Sequence, residues 1–249
     1  MRRHPSAYAS SFSFGPGPVS TALKAVIAAN VAMFLLTQFS PLDLNPILGL
    51  VPRSVVHKLW IWQLATYMFL HGGLFHILFN MLALWMFGTE LERIWGTRYF
   101  LKFYFVTGIG AAALTVLVSL LPFGVTAPIY FVPTIGASGA VYGLLLAYAL
   151  YFPDRPIYMY FVFPIPAKIF VLIMGAIAFY ASLAGSNGSA ANWTHLSGLL
   201  VAYMFLKSAR IHPISEMKYR YLKWKINRVR RKFDVYSGGR ADDYDRRVH

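Results

Sequence analysis

The chain has 249 residues, of which 57% are apolar and 13% charged, with a formal net charge of +14 and no cysteine. So much apolar surface exceeds what a soluble domain of this length needs and points to a membrane protein. The lack of cysteine excludes disulfides, thiolate catalysis and cysteine-held metals, so any chemistry must use oxygen or nitrogen.

In chain order, a Ser/Gly/Pro-rich preface, Met1–Pro18, leads into the first apolar run, Thr21–Gln38. No small-residue cleavage site follows that run before Pro41, so it reads as a retained anchor and not a cleaved signal. Further runs fall at Gly73–Gly88, Tyr99–Leu121, Gly139–Phe152, Ala167–Ala184 and Asn192–Leu206, separated by polar or Pro/Gly punctuation. The expectation is an all-α, polytopic membrane protein: a six-transmembrane-helix bundle over 21–207, preceded by a flexible cytoplasmic segment, 1–20, and followed by a basic cytoplasmic tail, 208–249. Its fourth helix is short and broken, because the entry Pro133-Thr-Ile-Gly-Ala-Ser-Gly139 is too rich in Pro and Gly for a regular turn. In a bilayer such irregular backbone is tolerated only where it is buried in protein or lines a wet cavity.

A net charge of +14 raises the question of nucleic acid, and its distribution answers against it. Of the 23 Lys and Arg, 13 lie from Lys207 onward, and most others fall between helices two and three, between helices four and five, or near the N-terminus. The opposite side carries only Arg53 and Lys58, which by the positive-inside rule makes both termini cytoplasmic. Such an orientation fits a bacterial inner (plasma) membrane. The tail then meets anionic headgroups of the lipid bilayer, with Ile214, Met217, Tyr221 and Trp224 at amphipathic spacing and a disordered end beyond Ser237.

Ser138 at the head of the fourth apolar run and His195 inside the sixth are polar groups where burial in lipid is costly and function is the default reading. Ser138 precedes the first cytoplasmic-side charge, Asp154, by 16 residues, and His195 precedes Lys207 by 12, or about 24 and 18 Å of helix. If the two segments pack side by side, a hydroxyl and a general base meet at one depth, the minimum equipment for covalent hydrolysis. A second pair, His76 and Asn80, lies one turn apart on one face of helix two at a comparable depth. Such donors, with the Ser138 amide at a helix N-terminus, suit a carbonyl oxygen that becomes an anion. No cofactor and no metal is called for.

At these residues the chain resembles the rhomboid family of intramembrane serine proteases. The resemblance covers about Trp60–Lys207 and rests on Gly136-Ala-Ser-Gly139, the His76-x-x-x-Asn80 spacing, His195-x-x-Gly198, and Gly88–Gly96, which looks like the loop after helix two. It implies a rhomboid-like bundle with Ser138 as nucleophile, His195 as base, and His76, Asn80 and the Ser138 amide as the oxyanion site. It further implies that Tyr142 stacks on the catalytic histidine, that Gly136, Gly139 and Gly198 support the site, and that His71 has a structural, hydrogen-bonding part. Ala202 stands where many members have a second small residue, often glycine, and Trp62-Gln63 stands where members often have Trp-Arg, so that arginine's role does not transfer. Glu90 and Glu92 read as loop-packing or solvated groups.

The resulting expectation is a serine endopeptidase whose partners are single-pass or polytopic membrane-protein substrates, cleaved in or near a transmembrane segment through a Ser-His dyad and an acyl-enzyme. A non-catalytic rhomboid-like protein that binds or chaperones transmembrane clients is the alternative. A transporter would call for paired broken helices in an inverted repeat, and no convincing repeat is seen.

Overall fold

The computed structural model describes residues 17–124, 126–159, 163–184 and 189–210. Most of the N-terminal preface and the tail readings on Ile214, Met217, Tyr221, Trp224 and the end beyond Ser237 lie outside these residues. A first compact unit ends at Leu206 and a second begins at Lys207.

Each of the six apolar runs corresponds to a helix. α1 is Thr21–Phe39, and it starts where the Ser20 hydroxyl accepts from Leu23 N at 3.0 Å, satisfying one of the amides that a helix start leaves free. Three short helices follow in the connection to the second run: α2 (Asn45–Leu48), α3 (Pro52–Lys58) and α4 (Gln63–Thr66). α5 is Leu74–Trp95 and α6 is Thr97–Ser119. Only Gly96 separates them; its φ of +75° makes a sharp reversal that a side chain rarely adopts. The segment Gly88–Trp95, expected as a loop, is therefore the last two turns of α5, because the apolar face continues through Leu91 and no breaker stands before Gly96.

α7, Ser138–Tyr151, has 14 residues, well short of the roughly 20 that cross a hydrocarbon core. α8 is Ala167–Leu183 and α9 is Ser189–Arg210. Between α7 and α8 the chain forms a two-stranded antiparallel hairpin, β1 (Pro156–Met159) with β2 (Phe163–Pro166), so the fold is not purely helical. Length and composition qualify α1, α5 and α6 to cross a membrane, while α7 and α8 are shorter apolar helices.

Packing explains the order. α7 lies among α5, α6 and α8, and small residues let its backbone approach its neighbours. A Cβ at Gly198 would overlap the carbonyl of Gly139, so α7 and α9 cross there at backbone contact. A turn further on, a Cβ at Gly143 would stand 3.1 Å from that of Ala202, which is fully buried. Alanine thus still allows the close crossing at this second position. By contrast, α8 turns Leu172, Ile177, Phe179 and Tyr180 outward, and α1 does the same with Leu35 and Leu36, as helix faces against lipid do.

Candidate active site

Ser138 opens α7, preceded by Gly136 at φ +120°. That conformation turns the chain into the helix and leaves room for a neighbour: a Cβ at Gly136 would lie 2.6 Å from His76 Nε2 and 3.7 Å from Ser138 Oγ. Glycine is therefore required here for its φ and for the space. The entering segment is anchored by backbone bonds. Leu50 and Thr134 exchange two hydrogen bonds at 2.9 Å each, and Gly136 N donates to Tyr67 O at 2.9 Å.

Across the α7–α9 crossing, His195 Nε2 lies 2.7 Å from Ser138 Oγ. The imidazole is stacked on Tyr142, one turn along α7 from Ser138, with ring centroids 4.2 Å apart and planes 6° from parallel. Its other nitrogen, Nδ1, is buried and has no hydrogen-bonding partner among the described residues. Ring orientation thus rests on stacking and on the serine, with no carboxylate bonded to the histidine among the described residues.

His76 and Asn80 project from α5 as their spacing requires. The Asn80 side-chain amide donates to the His76 carbonyl at 2.8 Å, which uses one of its two hydrogens, and His76 Nδ1 accepts from Gly72 N at 3.4 Å. His71 is buried and meets His76 edge-on, centroids 5.0 Å apart, supporting that ring from the side. Ser138, His195, Tyr142, His76 and Gly136 therefore come together, with Asn80 one turn behind His76. Gly139 and Gly198 make the crossing that holds the two helices at this distance.

Several supporting groups carry no periodic or motif signal. Tyr67, fully buried, donates to the Gly108 carbonyl at 2.8 Å and sits against Gly139, where a Cβ would come within 3.1 Å of its hydroxyl. Gln63, also fully buried, accepts from Val51 N at 3.0 Å and donates to the Pro46 carbonyl at 3.0 Å and the Ile47 carbonyl at 3.2 Å, tying α2, α3 and α4 together. Thr115 Oγ1 bonds Thr194 Oγ1 at 3.0 Å, one residue from His195, and joins α6 to α9. At the far end of α5, Glu92 is buried and accepts from Ser20 Oγ and Thr97 Oγ1, each at 2.7 Å, while Glu90 pairs with Arg93 and Arg155. Among the described residues no group of His, Asp and Glu is arranged to hold a metal.

A hydroxyl in contact with an imidazole, a helix N-terminus beside it and further donors on a neighbouring helix can activate an oxygen nucleophile and stabilise an oxyanion. The rhomboid domain family matches residues 58–209. RHOMBOID-like protein 1 of Arabidopsis thaliana is 28% identical over 222 residues, 73% of this chain and 52% of its own length. The mitochondrial rhomboid protein 1 of Saccharomyces cerevisiae is 30% identical over 193 residues, 73% of this chain and 51% of its own. Rhomboid protease GluP of Bacillus subtilis is 33% identical over 123 residues, 48% of this chain and 22% of its own. The chain spans about half the length of the first two relatives and less of the third.

Proposed function

The chain belongs to the rhomboid family and is an integral membrane protein, and we propose that it is an intramembrane serine endopeptidase working through Ser138 and His195. The observation that carries this reading is the 2.7 Å contact between Ser138 Oγ and His195 Nε2, with the imidazole stacked on Tyr142. The site lies at the head of a 14-residue helix, about 21 Å long, so a buried position reached by water from one side is consistent with its length.

A substrate transmembrane segment first unwinds locally, because a hydrogen-bonded helix hides its carbonyls. His195 Nε2 takes the Ser138 proton as Oγ bonds to the peptide carbonyl carbon. The Ser138 amide and the His76 and Asn80 side chains stabilise the oxyanion. The C–N bond then breaks, the leaving amine receives the proton from His195, and the acyl ester remains on Ser138. Water, deprotonated by His195, hydrolyses that ester and restores the serine. With the basic side cytoplasmic, the site opens to the outer face, and a bacterial inner membrane fits this orientation.

Labelling with a fluorophosphonate probe in detergent tests the dyad. Wild type is expected to label, and Ser138→Ala and His195→Ala are not. A folded wild type that stays unlabelled, beside an active rhomboid protease that labels, would replace this reading with a client-binding protein that lacks catalysis.

A further inference from the structure

Away from the dyad, α3 and the segment ahead of α7 enclose a groove of about 460 Å³ lined by Val51, Arg53, Ser54, His57, Lys58 and Phe131. Helical spacing explains its chemistry: Arg53 and His57 are one turn apart, as are Ser54 and Lys58. No carboxylate lines it, and among the described residues neither Arg53 nor Lys58 forms an ion pair. Instead the Arg53 guanidinium lies 5.6 Å over Phe131 and the Lys58 ammonium 4.7 Å over Trp60, contacts that steer the cations and leave their charge unneutralised. Arg53 and Lys58 are also the only Lys or Arg in the connections on the Ser138 side of the bundle, 40–73 and 120–134, and both face this one groove. Two cations, a hydroxyl and an imidazole around a space of ligand size make an anion site.

The chain leaving the groove indicates the occupant. Leu59 and Ile61 are 71% and 66% exposed, and Trp60 stacks on Trp62, an apolar and aromatic flank of the kind that sits at headgroup level. An anion with apolar chains attached satisfies both halves of this surface. We propose that the groove binds the phosphate of an anionic phospholipid, with Arg53, Lys58 and Ser54 on the headgroup and the acyl chains passing Leu59 and Ile61. The bound headgroup bridges α3 to Phe131, the two flanks of the Leu50–Thr134 pairing that anchors the approach to Ser138.

The test is thermal unfolding of delipidated full-length protein in neutral detergent, titrated separately with phosphatidylglycerol, phosphatidylcholine and inorganic phosphate. Phosphatidylglycerol is expected to raise the Tm of wild type and of the tail variant Arg230→Gln/Arg231→Gln alike. Half-saturation should weaken about fivefold for each groove cation removed, in Lys58→Gln and further in Arg53→Gln/Lys58→Gln. Lys58 is exposed, so its single variant carries the comparison if the double variant does not fold. Equal half-saturation in all variants, or an equal shift with phosphatidylcholine, overturns the site. Inorganic phosphate that reproduces the full shift at the same concentration overturns the lipid as ligand.

Discussion

Two serines at opposite ends of this bundle show how surroundings decide what a hydroxyl does. Ser20 caps α1 and donates to Glu92, whose second oxygen is held by Thr97, so every polar atom there is bound to a partner that fixes it. Ser138 meets an imidazole at 2.7 Å and opens a helix that has no side-chain cap among the described residues. The first arrangement joins α1, α5 and α6; the second leaves an oxygen beside a proton acceptor. Both hydroxyls are half-buried, so burial does not set the two apart, and the identity of the partner does.

Substitutions can break that contrast. Ser138→Ala should lose cleavage of a transmembrane substrate in liposomes by about 10⁴-fold or more, with Tm unchanged; residual cleavage above a few per cent would put the nucleophile elsewhere. Gly198→Val forces side-chain atoms into the Gly139 carbonyl, and a loss of about 1–3 kcal/mol by denaturant unfolding, with slowed cleavage, is expected. Tyr142→Ala should slow cleavage about tenfold, because the unsupported ring samples other orientations, whereas Tyr142→Phe keeps the stack and the rate. Equal rates for wild type and Tyr142→Ala would remove that role. Ser20→Ala should cost about 1 kcal/mol in stability and leave the turnover rate per folded molecule unchanged; a change in that rate would mean that the two ends are coupled.

The six helices were legible because apolar runs of this length have few alternatives in a bilayer; counting Ser138 and His195 back to a charged boundary gave only similar depths, and their pairing came from the resemblance to the rhomboid family. What lay beyond reach has physical causes. Helix ends such as Trp95 were hidden because Glu90, Glu92 and Arg93 look like a loop in sequence, yet Glu92 is satisfied by two hydroxyls distant or off-period in the chain. The hairpin 156–166 carries three prolines and alternates weakly, so pattern does not signal a ladder there. Gln63 and Tyr67 act through backbone atoms of other segments, and no residue type advertises such a partner. The oxyanion role expected of Asn80 also depends on tertiary placement: one of its amide hydrogens is spent on its own helix.

The paired backbone of Leu50 and Thr134 has a consequence for anyone who engineers this protein. Connections between membrane helices are the usual places to insert an epitope or a reporter domain, since most tolerate added length. Here the connection after α1 is stitched by Gln63 within itself and by Leu50 to the strand of chain that delivers Ser138. A tag placed between Gly49 and Val51 would pull on the segment that leads to Ser138, the proposed nucleophile, while one placed at Pro41–Asp43, before the first stitch, would hang free.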